Sequence, residues 1–310
     1  MKAAKVLSKT VLVTGCSSGI GKEVAIYLRR TGWDVYPTAR SEADLKELCS
    51  NGFEALYLDL SDSNSINSCV ASLLQKCKLG VGALINNAGM AIPGAVEDLS
   101  RKDLREQFEV NVFGLQELTN AIIPSFRNQG WGRIVNISSI YGVVAAPMVG
   151  GYCASKYALE ALSNAQRMEL SGSGVSLSLV EPGPILSNFR QSAYERLEER
   201  LLKSDHFYTN YNQTLKRKKD KHQKKTKFTR GPENVAKKVH HAITSNNPRI
   251  RYFVTIPAHA GSVMARLFPD SLIDFAMKRS ILKLIASGHK KSIKTSFLFP
   301  LVEAGCLKRY

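Results

Sequence analysis

The feature that most constrains this 310-residue chain is an alternation of two hydrophobic periods. Short β-branched and aliphatic runs, over 10–14, 35–38, 55–58, 83–86, 133–137, 176–181 and 251–255, read as strands. Between them lie longer amphipathic stretches, for example 20–31, 63–77, 101–128 and 153–171, whose apolar spacing is helical. Strand, helix, strand in regular turn predicts parallel strands joined by crossover helices. The expected fold is therefore α/β: an open, doubly wound parallel sheet with helices on both faces. In such a sheet a ligand sits at the carboxyl ends of the strands, where the strand order reverses.

One domain is expected over 1–257, with an insertion at about 186–230 and an extension over 258–310 that packs near the same end of the sheet. An apolar content of 44% is enough for a sizeable core and excludes a disordered chain. The six cysteines form no CxxC pair and no metal spacing, so no metal is expected and reduced thiols in a cytosolic-type compartment are. Met1 to Lys5 runs at once into the first strand, without a signal-peptide core. The uncharged window 134–155 is long enough to span a bilayer, but Asn136, Pro147 and three glycines make it a buried strand entering a loop. The formal charge of +17 is uneven: nine basic residues against one acid over 216–230 place +8 there. That patch reads as a solvated face or as a basic collar for an acidic substrate or anionic membrane. It carries no recognised nucleic-acid motif.

Gly15, Cys16, Ser17, Ser18, Gly19, Ile20 and Gly21 follow the first strand and open the first helix. Glycines there allow a tight turn and bring backbone N–H groups to a pyrophosphate at the positive helix end. A kinase-type P-loop is excluded, because Gly21-Lys22 is followed by Glu23. Arg40 closes the second strand, and 37–41 holds no acid. A cation there suits a 2′-phosphate, which favours NADP(H) over NAD. Asp59, beside Leu60, can accept from an adenine amino group, and Asn87, Ala88 and Gly89 end the fourth strand with small residues a cofactor can approach. Tyr152 and Lys156 are four apart at a helix start and share a face. A nearby ammonium is expected to lower the phenol toward working pH, so that it exchanges a proton with a carbinol oxygen, helped by Ser139.

Together TGCSSGIG (14–21), NNAG (86–89), NVFG (111–114), SSIYG (138–142), YCASK (152–156) and EPGPILSNF (181–189) resemble the short-chain dehydrogenase/reductase family over about residues 8–260. The resemblance implies seven strands and a catalytic tetrad of Asn111, Ser139, Tyr152 and Lys156. Tyr152 is then the acid/base, Lys156 also holds the nicotinamide ribose, and Asn111 anchors a relay water. It places Pro182, Gly183 and Ile185 against the nicotinamide and Ser187 at its carboxamide. The tail pattern from Pro257 (Val263, Phe268-Pro269-Asp270) resembles the NADP-using group of 17β-hydroxysteroid and retinol dehydrogenases and bacterial aldehyde reductases. The implied activity interconverts a lipophilic alcohol and its carbonyl, in a homodimer or homotetramer. The mixed apolar and basic run over 258–287 admits a pocket wall or a peripheral contact with anionic membranes. A nucleotide-sensing regulator that keeps the fold without turnover is the rival reading.

Overall fold

The computed structural model describes residues 3–189, 191–193, 195–196 and 228–275. Seven strands form one parallel sheet in the order β3-β2-β1-β4-β5-β6-β7. They are β1 (Thr10–Val13), β2 (Asp34–Ala39), β3 (Leu56–Tyr57), β4 (Ala83–Asn86), β5 (Gly132–Ile137), β6 (Val175–Glu181) and β7 (Arg251–Phe253). Every strand expected from the sequence is present, β3 shortened to two residues. The order reverses between β1 and β4, so the crevice opens beyond Val13 and Asn86.

The strands are apolar on both faces because helices cover both. Leu12, Leu84, Ile134 and Leu177 point to one side, where they meet α3 (Ser63–Lys76), α5 (Leu115–Gln129) and α6 (Gly150–Glu169). Their neighbours Val11, Val13, Ile85, Val135 and Val180 point to the other and meet α1 (Gly19–Arg30) and α7 (Glu233–Thr244). Each fully buried Leu, Ile or Phe contributes about 1.5–3 kcal/mol relative to exposure. The α7 helix presents Val235, Ala236, Val239, Ala242 and Ile243 at helical spacing.

Four of the described α-helices start on a side-chain cap. Ser41 accepts from Asp44 N at the start of α2 (Glu42–Ser50), and Asp62 accepts from Asn64 N at α3. Ser100 and Asp103 form a reciprocal capping box at α4 (Arg101–Phe108), and Thr255 accepts from Ala258 N at α8 (Ile256–Leu267). The stretch 101–128, read from sequence as one helix, is interrupted: α4 passes through a π-helical turn, Glu109–Gly114, before α5. Among the described residues no helix is long and apolar enough to cross a membrane, and no His/Cys/Asp/Glu group could hold a metal. Cys16, Cys49, Cys69, Cys77 and Cys153 are free thiols. The basic run over 216–227 and the tail beyond 275 lie outside the described residues.

The π turn ends on Gly114, against the loop leaving β3. A Cβ at Gly114 would lie 1.8 Å from the Leu60 carbonyl oxygen. Backbone occupies that space, so the chain must move to admit a methyl group. Gly114→Ala is expected to cost about 1–3 kcal/mol, as overpacking does. Urea unfolding at equilibrium measures it, and an unchanged midpoint would show that the two backbones separate freely.

Candidate active site

The crevice is built from the ends of β1, β2 and β4. Gly15 and Gly19 adopt φ of +70° and +59°, which carry the chain from β1 into α1. Gly21 packs on the same turn: its Cβ would lie 2.1 Å from Gly15 O and 2.4 Å from Asn87 Nδ2. Thr14 Oγ1 accepts from the backbone N–H of both Asn87 and Ala88, each at 2.9 Å. Asn87 Nδ2 returns hydrogen bonds to Thr14 O at 2.8 Å and Gly15 O at 3.1 Å. On the other side Cys16 N donates to Thr38 O at 2.8 Å.

The start of α1 is left uncapped by side chains. Ser18 caps it with no side-chain hydrogen bond, and the first turn contains no acid. Its leading N–H groups therefore face the crevice with the positive end of the helix dipole, an arrangement suited to a pyrophosphate. Exposed Ser17 and half-buried Ile20 belong to the same turn. Ser187 closes over it, its Cβ 3.0 Å from where a Gly19 Cβ would be.

Arg40 is exposed at the end of β2. Partial burial raises the Asp59 carboxyl, but hydrogen bonds from Ser61 and the charge of Arg40 outweigh it and hold the group below its usual range. Asp59 Oδ1 accepts from Ser61 N at 2.9 Å and Ser61 Oγ at 2.7 Å. The oxygen expected to take an adenine amino group thus also braces its own loop. Leu60 is buried beside it. A cavity of about 620 Å³ opens here, lined by Arg40, Ser61, Met90, Arg101, Arg105 and Val110 among others.

At the other end of the crevice, Ser139, Tyr152 and Lys156 converge. Ser139 follows β5, and its Oγ accepts from Tyr141 N at 3.1 Å. Tyr152 and Lys156 lie on successive turns of α6, both buried. Burial pushes the Tyr152 phenol well above its ordinary range; a hydrogen bond with Ser139 offsets part of this, and Cys153 and Tyr141 add to it. This corrects the expectation that Lys156 would lower it. The Lys156 Nζ stands 5.9 Å from the Tyr152 ring centroid and donates to Ile137 O at 2.9 Å. Burial brings Lys156 itself down to about 8, against the opposing charge of Glu160.

Asn111 sits in the π turn and is fully buried. Its Oδ1 accepts from Met90 N, and its Nδ2 donates to Met90 O and to Ser155 Oγ, all within 3.0 Å. The amide is spent on clamping the loop after Gly89, and Gln107 clamps the same loop through Met90 O and Ile92 N. A Gly89 Cβ would lie 3.2 Å from Asn111 Oδ1 and 3.8 Å from Lys156 Nζ, so this small residue keeps the approach to the lysine open. Pro182 O accepts from Ile140 N at 2.9 Å, which fastens the Pro182-Gly183 segment to the Ser139 turn. Buried Ile185 pairs with Arg230 in an isolated bridge.

The sequence reading missed Gln107 and Ser155. Gln107 stands one helical turn before Asn111, the spacing that could have revealed it. Two further aromatic rings flank Tyr152: Tyr141 at 6.2 Å and Phe189 at 5.6 Å between centroids.

The family described as short chain dehydrogenase matches residues 9–198. An uncharacterized oxidoreductase, YbbO, of Escherichia coli K12 is 39% identical over 273 residues, covering 87% of this chain and 94% of that one. An NADPH-dependent 3-dehydrocapnine reductase of Ornithobacterium rhinotracheale is 31% identical, covering 88% and 97%. The human 17-beta-hydroxysteroid dehydrogenase type 1 is 34% identical, covering 79% and 77%. A solved short-chain dehydrogenase from Streptomyces avermitilis superposes with a TM-score of 0.70 at 26% identity, covering 91% and 98%. With the switch-point crevice and the Ser139–Tyr152–Lys156 cluster in place, the chain belongs to the short-chain dehydrogenase/reductase family of oxidoreductases.

Proposed function

We propose that this protein is an NADP(H)-dependent oxidoreductase that interconverts a lipophilic alcohol and its carbonyl, with Tyr152 as acid/base. The observation that carries the reading is the convergence of Ser139, Tyr152 and Lys156 beside the slot that Gly89 leaves open. When bound, the nicotinamide supplies or accepts the hydride.

The residues present suit that cofactor. The open N-terminus of α1 receives the pyrophosphate, Arg40 the 2′-phosphate, and Asp59 and Leu60 border the adenine. Asn87, Ala88 and Gly89 give it a backbone floor. Lys156 Nζ holds the nicotinamide ribose, while Pro182, Gly183, Ile185 and Ser187 wall the ring and its carboxamide. The relative named as NADPH-dependent agrees with the choice of NADP(H).

A phenol held up by burial keeps its proton at neutral pH, so Tyr152 is set to donate to a carbonyl oxygen. Ser139 offers a second hydrogen bond to that oxygen as charge develops. Donation leaves a phenolate, whose charge the Lys156 ammonium offsets, and in the direction of oxidation that phenolate takes the proton from the alcohol. Asn111 fixes the position of Met90 through both ends of its amide. Tyr141 and Phe189 give the entrance an aromatic lining, and α8 backs the same turn, Gly261 lying against Ile140 and Val144. That lining favours a lipophilic aldehyde, ketone, retinoid or steroid, in keeping with the hydroxysteroid dehydrogenase named among the relatives.

Hydride transfer with a panel of these substrates, followed by NADPH absorbance, is the direct test. Tyr152→Phe removes only the proton donor, so turnover should fall by a factor of about 10² or more while NADPH still binds. Lys156→Ala should impair both. Full turnover by Tyr152→Phe would dismiss the phenol as acid/base. A wild-type protein that binds NADPH and transfers no hydride would instead be a nucleotide-sensing regulator.

The cofactor preference rests on Arg40. Arg40→Ala should weaken NADPH by about 1.5–3 kcal/mol, the range for a hydrogen bond to a charged group, and leave NADH nearly untouched. Titration of intrinsic fluorescence with each cofactor measures the difference. Equal losses would remove Arg40 from the 2′-phosphate.

A further inference from the structure

One turn beyond Lys156 on α6, a buried charge cluster lies under the site. Arg251, the first residue of β7, donates through Nη1 to Glu160 Oε2 and to Glu181 Oε1, and through Nη2 to Asn164 Oδ1 at 3.2 Å. Glu160 is on α6, and Glu181 is the last residue of β6, immediately before Pro182. Glu181 is wholly buried and Glu160 nearly so. One guanidinium thus faces two carboxyl groups, and their outer oxygens, Glu160 Oε1 and Glu181 Oε2, are buried with no partner.

Two ionised carboxylates on one cation would leave an uncompensated negative charge in a dry setting, which is costly. The cluster avoids that charge by keeping a proton. Burial, and then the charge of Glu160, push the Glu181 carboxyl up to about 7, against the pull of Arg251 and of Arg266 on α8. Around neutral pH Glu181 therefore lies near its midpoint between the protonated and ionised forms. Glu160 also bears on Lys156, the next charged group along α6, and opposes the effect of its burial.

We propose that Glu160, Arg251 and Glu181 form a titrating brace whose negative charge holds the buried Lys156 as an ammonium, which makes Glu160 and Glu181 positioning residues for the catalytic lysine. This rests on the role given to Lys156 above. When Glu181 releases its proton it takes a larger share of the Arg251 charge, which leaves Glu160, the carboxyl that bears on Lys156, less compensated. The lysine then keeps its charge to a higher pH than burial alone would allow. The same cluster ties α6 to β6 and β7, so charge and position are set by one set of contacts.

The test reads Lys156 directly. In the full-length protein labelled with 13Cε-lysine, the Lys156 resonance, assigned by its loss in Lys156→Arg, is followed against pH. Glu160→Gln and Glu181→Gln should each lower its titration midpoint by about half a pH unit or more. The alkaline limb of the kcat/KM profile should move down with it, while the acid side stays close to wild type. Glu181→Gln is the milder change, because it replaces a carboxyl that already holds its proton about half the time near pH 7, so it remains informative if Glu160→Gln does not fold. An unchanged Lys156 midpoint in a folded variant overturns the brace. A lowered midpoint in a protein that transfers no hydride keeps the brace and sinks the oxidoreductase reading.

Stability gives a second check. A raised carboxyl means that the folded state holds a proton that the unfolded chain has released. The stability contributed is full below the unfolded value and is lost as pH rises through about 7. The wild-type melting temperature should therefore decline from about pH 5 to about pH 8 more than that of Glu181→Gln. Parallel declines would overturn the titration of Glu181.

Discussion

Where β1 and β4 leave the sheet side by side, one threonine and one asparagine tie their turns together. Thr14 Oγ1 accepts from two backbone N–H groups of the β4 turn, and Asn87 Nδ2 donates to two carbonyls of the β1 turn. These groups would otherwise be unsatisfied at the point where the ladder opens. Because the sheet order reverses here, the pair fixes the width of the crevice and the direction in which α1 departs. Gly21 lies against both partners and admits no side chain. The cofactor groove is thus a consequence of how two strand ends are stapled.

A second layer of polar contacts carries this order to α6. Asn86 Nδ2 donates to Thr119 Oγ1 on α5 and to Asn136 Oδ1 on β5, and Asn136 Nδ2 donates to Ser163 Oγ on α6. All four side chains are buried, so each bond acts in a low-dielectric setting where a missing partner would be costly. The network links β4 and β5 to α5 and α6 on the face that also holds Lys156. Lys156 then reaches back to Ile137 O at the end of β5. The position of the ammonium follows from strands placed by hydrophobic alternation and from helices pinned by amides and hydroxyls.

The parts of this design that are local were legible in the sequence. Strand positions follow from β-branched runs, the first turn from its glycines, and the shared face of Tyr152 and Lys156 from their spacing of four. The parts that depend on distant partners were not. The π turn at Glu109–Gly114 has an ordinary helical sequence; it is set beside Leu60, which only the fold brings next to Gly114. The direction of the Tyr152 shift depends on how deeply the ring is buried, and a pattern of residue types does not report burial depth. Arg251 lies 91 residues from Glu160 and 70 from Glu181, so no local motif announces their meeting.

Some of the places where local rules are broken lie at the site. Ser41, Asp62, Ser100 and Thr255 all cap their helices through the side chain, whereas Ser18, of the same chemical class, does not. A cap on α1 would stabilise the helix by about 1 kcal/mol and would also occupy the N–H groups that an anion needs. Likewise the buried oxygens without partners include those of Glu160 and Glu181, beyond Lys156, and Ser138 Oγ, beside the Ser139 turn. A chain selected for stability alone would have neutralised or removed these groups, since unpaired buried polar atoms are destabilising. Others, Arg133 Nε, Gln166 Oε1, Arg167 Nε and Ser176 Oγ, lie at the opposite end of the strands and of α6, so the cost is shared between the site and the frame that carries it.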